Sequence, residues 1–140
     1  MKKEVVLLGA GGKMGRRITA NLKDEKDYNI TYVEISEAGR KGLKETFGVE
    51  ATDGYESVRN ADIVIFAVPD RFIGRISKEI IPMMKKGATV VGLDPAATYG
   101  KVMAMREDIK YFVVHPCHPP LFPFEDNLSL EAQKDWFGGI

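Results

Sequence analysis

Val5-Val6-Leu7-Leu8 is apolar at four consecutive positions and ends in Gly9. A strand open to water on one face alternates apolar and polar residues. An unbroken apolar run suits a strand buried on both faces. Ile63-Val64-Ile65-Phe66-Ala67-Val68 is a second such run. Between the two the period changes. Met14, Ile18 and Leu22 recur every four residues, which places them on one face of a helix. Doubly buried strands alternating with helices require a parallel sheet covered on both sides.

The rest of the chain fits that plan. Ile30 to Ile35 reads as a second strand, with Ser36 as N-cap of a helix that ends near Phe47 and stops at Gly48. Val49 to Thr52 is a short third strand, and Glu56 to Asn60 a turn of helix. Pro69 ends the fourth strand, and Asp70 is positioned to cap a helix carrying Ile73, Ile76, Ile80 and Met83. Pro82 must kink that helix or tighten its last turn, and Gly87 stops it. Thr89 to Leu93 is a fifth strand, Thr98 to Arg106 a helix, and Tyr111 to Val114 a sixth strand. The expected fold is α/β: a doubly wound parallel sheet in three layers, with strand order 3-2-1-4-5-6.

Composition narrows the function. Twenty basic residues balance twenty acidic ones in 140 residues. No whole-chain basic field exists to recruit nucleic acid or anionic lipid. The longest apolar run, residues 63–68, is far too short to span a bilayer. Met1-Lys2-Lys3 before an apolar run superficially imitates a secretion signal. Glycines, Lys13, Arg16 and Arg17 follow at once and leave no adequate apolar core. Cys117 stands alone, which excludes an internal disulfide and suits the cytoplasm.

Gly9-Ala10-Gly11-Gly12-Lys13-Met14-Gly15 joins the first strand to the first helix. A pyrophosphate needs bare backbone N–H groups at a positive helix end, and a Cβ holds it away. The position between strand and helix makes this a dinucleotide loop rather than a turn used only for packing. The spacing is shifted from the standard one. Gly9 and Gly11 fit the first two places of G-x-G-x-x-G, but Met14 holds the third; Gly9, Gly12 and Gly15 fit G-x-x-G-x-x-G. Sequence leaves open which amides touch phosphate.

Glu34 closes the second strand, about twenty residues beyond the glycines, where a carboxylate can bind both adenosine ribose hydroxyls. It would repel a 2′-phosphate, which favours NAD over NADP. Arg40 and Lys41 follow closely enough to counter it by holding that phosphate. Lys13, Arg16 and Arg17 can approach phosphate, although charges on a first helix are usually just solvated.

On these residues the chain resembles the N-terminal domain of the 6-phosphogluconate and β-hydroxyacid dehydrogenase superfamily. Gly11-Gly12-Lys13-Met14-Gly15 after a strand carries the likeness. Ala61 to Pro69 is similar to that group's fourth strand, and the resemblance implies that Ala67, Val68 and Pro69 border the nicotinamide riboside. Gly87 to Val91 with Asp94 resembles its fifth strand. The strand leading into His115-Pro116 resembles the His-Pro motif of prephenate dehydrogenases. The stretch from about residue 4 to 120 also resembles the first half of oxidoreductases of the D-apionate oxidoisomerase kind. The shifted glycines resemble dihydrodipicolinate reductases. The superfamily carries a C-terminal helical domain, to which nothing here corresponds. Residues 1–115 are therefore expected to be the dinucleotide-binding domain. Residues 116–140 are expected to be a Pro- and aromatic-rich loop leading into a helical domain, with dimer contacts supplied there.

His115 falls at the carboxyl end of the sixth strand, the edge where open α/β sheets place ligands. The resemblance makes it the catalytic candidate: a base taking a hydroxyl proton as hydride leaves the same carbon. It serves equally well as a histidine bonding backbone at a strand end. Asp94 and His118 are candidates for substrate contact, His118 being as readily a plain loop residue. Cys117 beside His118 is no metal centre, because donors this close around a proline cannot surround one ion. Phe122, Phe124 and Trp136 suit an apolar docking face.

The expected activity is NAD-dependent oxidation of a hydroxyl on a small hydroxy or sugar acid. The alternatives are a non-catalytic NAD(H)-binding module, or an enzyme like dihydrodipicolinate reductase or prephenate dehydrogenase.

Overall fold

The computed structural model describes residues 2–114. Six strands form one sheet: β1 (Lys3–Leu8), β2 (Tyr28–Val33), β3 (Ala51–Thr52), β4 (Ile63–Phe66), β5 (Thr89–Gly92) and β6 (Lys110–Val113). All neighbours are parallel, in the order β3-β2-β1-β4-β5-β6. This is the expected doubly wound topology. The central strand is β1, with Val5 paired to Ile30 on one side and Ile63 on the other.

Period-two side chains send β1 into two cores. Val6 and Leu8 pack with Val64, Phe66 and Val90 under Ile73, Ile76 and Ile80 of helix α3 (Asp70–Ile80). Leu7 packs on the opposite face with Ile18 of α1 (Lys13–Leu22) and Leu43 of α2 (Glu37–Phe47). Each full burial of such an aliphatic side chain contributes roughly 1.5–3 kcal/mol.

The helix signals act largely as read. Ser36 caps α2 by accepting from the Gly39 amide, and Gly48 ends it in the left-handed conformation (φ 69°). Pro82 tightens the end of α3 into a single 3-10 turn, Ile81–Met83. Gly87 lies beyond that turn, at φ 80°, in the bend that leads into β5. Asp70 is the first residue of α3 and not its cap; Pro69 holds the cap position. Asp70 still places its negative charge in the first turn, where the helix dipole favours it.

The fourth helix departs from expectation. It was expected over Thr98–Arg106, but α4 spans Pro95–Tyr99. Asp94 caps it and Pro95 suits its first turn. Gly100 ends it, and Lys101 at φ 57° leaves helical space. Met103 is nevertheless buried, so its apolar character served the core from a loop.

Candidate functional site

The loop after β1 assigns a separate task to each glycine. Gly9 turns the chain at φ 73°, and its amide donates to the Val33 carbonyl at 2.9 Å. A Cβ there would stand 2.6 Å from the Ala67 carbonyl oxygen. Gly15 lets α1 lie against the loop, for a Cβ on it would come within 2.1 Å of the Gly9 oxygen. Gly12 is the N-cap of α1 and has no side chain to satisfy the first turn. Arg16 is the first amide to close the helical ladder, on the Gly12 carbonyl at 2.9 Å. The amides of Lys13, Met14 and Gly15 precede that bond and form the positive end of α1.

Gly11 does something else. Its amide donates to Glu34 Oε2 at 2.9 Å. The other carboxylate oxygen, Oε1, accepts from the Ser36 amide at 2.9 Å. Glu34, just past the end of β2, is thus pinned at both oxygens and only 9% exposed. The Gly11 amide is thus engaged by the carboxylate, as the amides of Gly9 and Gly12 are engaged by the carbonyls of Val33 and Gly9.

The cations weighed against Glu34 are engaged too. Arg40 Nη1 donates to the carbonyls of Glu34 and Ile35, both at 2.9 Å, and lies 3.8 Å from Asp53. Lys41 pairs with Glu45 along the exposed side of α2. Arg16 bonds Thr46 Oγ1 at 2.9 Å, and its guanidinium stacks over the Phe47 ring. It fastens α1 to α2.

A cleft lies along the carboxyl ends of β1, β2 and β4. It has two hollows that share Gly12, Ala67, Val68 and Pro69 as a common wall. One, of about 310 Å³, is bounded by Glu34, Ile35, Tyr55, Phe72 and Arg75. The other, of about 270 Å³, is bounded by Lys13, Met14, Asp70, Leu93 and Asp94. Burial raises the pKa of the Tyr55 phenol above its ordinary value, and the carboxylates of Glu79 and Glu34 add to the shift against Arg75. The hydroxyl therefore remains a donor across the physiological range. The Phe72 ring is flanked by the guanidinium groups of Arg71 and Arg75, 4.7 and 5.5 Å from its centroid.

Two hollows meeting at a bare helix N-terminus match the outline of a dinucleotide site. Residues 1–121 match the family described as acetohydroxy acid isomeroreductase, NADPH-binding domain. The chain belongs to this family.

Two proteins similar to this chain come from Cupriavidus necator. A D-apionate oxidoisomerase is 45% identical over 139 residues, which is 99% of this chain and 49% of that protein. A crystal structure described as a semialdehyde dehydrogenase NAD-binding protein, in complex with calcium and NAD, superposes with a TM-score of 0.83 at 44% identity. The match covers 99% of this chain and 50% of that one. Prephenate dehydrogenase from A. aeolicus shares the fold alone, with a TM-score of 0.64 at 18% identity over 83% of this chain and 42% of that one. The chain spans about half the length of the curated relatives it matches. The kinship with D-apionate oxidoisomerases expected from the motifs is thus confirmed, and the isomeroreductase family is an addition to it.

The family fold brings together Gly9, Gly12, Lys13, Met14, Glu34, Ala67, Val68 and Pro69 around one cleft. Asp94 borders the second hollow, yet its Oδ1 accepts from the Ala96 amide at 2.8 Å, so its carboxylate caps α4. His115, Cys117, His118, Phe122, Phe124 and Trp136, with the whole 116–140 segment, lie outside the described residues. The sequence reading missed Tyr55, Phe72 and Arg75. Phe72 and Ile76 do stand four apart on α3, the one local signal that they share a face. Among the described residues, no helix is long and apolar enough to cross a membrane.

Proposed function

We propose that this chain is the cofactor-binding part of an NAD-dependent oxidoreductase that oxidises a hydroxyl of a small sugar acid or hydroxy acid. The pinned Glu34 carboxylate carries the cofactor half of this reading. Its lone pairs accept from ribose hydroxyls at the mouth of the first hollow, and its charge opposes a 2′-phosphate there. Arg40 Nη1 is held by the carbonyls of Glu34 and Ile35 and faces Asp53, which draws that nitrogen away from a 2′-phosphate. NAD is therefore preferred, although the family description names NADPH.

The cleft fits such a group. A Cβ on Gly12 would stand 3.3 Å from the Gly9 oxygen, so a bare backbone leaves the loop free at its seam. The amides of Lys13, Met14 and Gly15 hold the pyrophosphate against the α1 dipole. Tyr55, Phe72 and Ile35 enclose the adenosine end. Ala67, Val68 and Pro69 flank the nicotinamide riboside. Bound NAD supplies the hydride acceptor, and the chain supplies position and charge. In this reading His115 takes the hydroxyl proton, and His118 and Asp94 are the candidates for substrate contact. The sugar-acid substrate class rests on the identity with D-apionate oxidoisomerase. The single cysteine fits a cytoplasmic protein, and the superfamily resemblance fits a homodimer.

Calorimetric titration of the chain with NADH and NADPH at one ionic strength tests the cofactor reading. NADH is expected to bind at least about tenfold tighter, a difference of about 1.4 kcal/mol. Glu34→Gln should erase the preference. Tighter NADPH binding overturns the role of Glu34, and failure of both nucleotides at millimolar concentration overturns the cofactor assignment. For the chemistry, His115→Ala in the complete enzyme should abolish turnover and leave NADH affinity unchanged; undiminished turnover removes His115 from the mechanism.

A further inference from the structure

Glu34 is held by more than its two hydrogen bonds. Its side chain lies in a slot between two glycines from different segments. A Cβ on Gly11 would sit 2.7 Å from Glu34 Oε2. A Cβ on Gly39 would sit 2.7 Å from Glu34 Cγ and 2.9 Å from Cδ. The two glycines nearly touch, since the same Gly11 Cβ would be 2.9 Å from Gly39 Cα. Arg40, the next residue, ties down the Glu34 carbonyl.

Gly39 is the third residue of α2. Its backbone is not among those with positive φ, so its conformation does not demand glycine. Helix propensity favours alanine there. What glycine provides at this position is room for the Glu34 side chain. We infer that Gly39 is a positioning residue for cofactor choice: it forms the slot that fixes the Glu34 carboxylate at the mouth of the cleft, and thereby sets the preference for a free ribose 2′-hydroxyl over a 2′-phosphate. The inference rests on the ribose-binding reading of Glu34 and extends it to a residue that touches no cofactor.

The physical argument is one of preorganisation. A carboxylate clamped by two amides and two backbone walls loses little freedom when a ribose arrives. A methyl group on Gly39 must displace the carboxylate from the slot, because the collision is with Cγ and with Cδ, the carboxyl carbon itself. The displaced group loses its bonds to Gly11 and Ser36 and its aim on the ribose, and a 2′-phosphate loses its nearest repulsive charge.

A double-mutant cycle between Gly39→Ala and Glu34→Ala tests this, with NADH and NADPH titrated into each of the four folded chains. In the parent chain, Gly39→Ala is expected to lower the NADH-over-NADPH preference at least about fivefold, chiefly by weakening NADH. In the Glu34→Ala chain the same change should move that preference by less than about twofold, because nothing remains to collide with. Circular dichroism should show that E34A/G39A melts no lower than E34A, as helix propensity predicts. An unchanged preference in G39A overturns the inference, as does an equal shift in both backgrounds. If G39A does not fold, recovery of the fold in E34A/G39A supports the slot, and its failure to recover overturns it. A parent chain that binds neither nucleotide brings down the cofactor reading and this inference together. A parent chain that prefers NADH while G39A matches it brings down the inference alone.

Discussion

The two ends of the cleft are built on different principles. At the Glu34 end, the principal polar group is fixed before any ligand arrives: two backbone amides, two glycines and an arginine on the neighbouring carbonyl hold it. At the other end, Asp94 spends its carboxylate on a helix cap, and Lys13 and Asp70 stand exposed at helix starts. The first end is a rigid reading head. The second is bounded by this chain but not tightly organised by its described residues. A dinucleotide domain can thus carry recognition in its own fold and leave the reacting end to be completed around it.

The contrast can be broken at the loop where both ends meet. Gly15→Ala should have the largest effect, because its Cβ would meet the Gly9 carbonyl at 2.1 Å with rigid backbone on both sides. A loss of at least about 3 kcal/mol is expected in urea denaturation, with both hollows disrupted. A near-neutral result would mean that α1 can slide and that the loop is not the rigid seam described.

Gly12→Ala sharpens the comparison. Its Cβ has 3.3 Å to the nearest backbone oxygen, so stability should change by less than about 1 kcal/mol. NADH affinity should fall about tenfold by titration, because the methyl group stands at the common wall of the two hollows. Asp94→Ala probes the far end. Loss of the cap bond to Ala96 should cost about 1 kcal/mol, while NADH affinity stays within about twofold. A large affinity loss would show that Asp94 serves the cofactor after all.

The smallest effect belongs to the edge of the sheet remote from the cleft. Asp62 accepts from Lys85 at 2.8 Å and from the Glu4 amide at 2.9 Å. The Lys85 bond, then the Glu4 bond, hold its pKa below the ordinary 3.8. A carboxyl with a depressed folded pKa stabilises fully above its unfolded value, and that contribution is lost as pH falls through the folded one. Asp62→Asn should therefore melt a few degrees lower at neutral pH, with the gap closing below about pH 3.8. A gap that persists in acid would assign the effect to packing. NADH binding should not change.

Most of the scaffold was legible because it follows from local periodicity. Doubly buried strands and amphipathic helices fix a parallel sheet, and the glycine loop fixes which edge carries the cleft. The helix over Thr98–Arg106 was misplaced: Asp94 and Pro95 start it earlier, and it ends at Gly100, with Lys101 in the left-handed conformation. Glu34 was found because its strand-end position is local. The task of Gly11 was not, because it depends on a carboxylate 23 residues away. Gly39 was not legible as a site residue, because its role depends on Glu34 lying against it. Tyr55 and Arg75 reach the cleft from segments that meet only when β4 pairs with β1.

That pairing also governs which parts of the molecule open together. β1 has a partner on each side, from Val5 opposite Ile30 and Ile63 to Leu8 opposite Val33 and Phe66. Its amide hydrogens should exchange with deuterium only through global unfolding, while those of the edge strands β3 and β6 escape by local fraying. The glycine loop hangs directly from the end of β1. Its amides are thus mounted on the last element to let go, and nucleotide binding should raise protection in β1, whose amides exchange only through an unfolding that releases the ligand, more than in edge strands that fray with the ligand still bound.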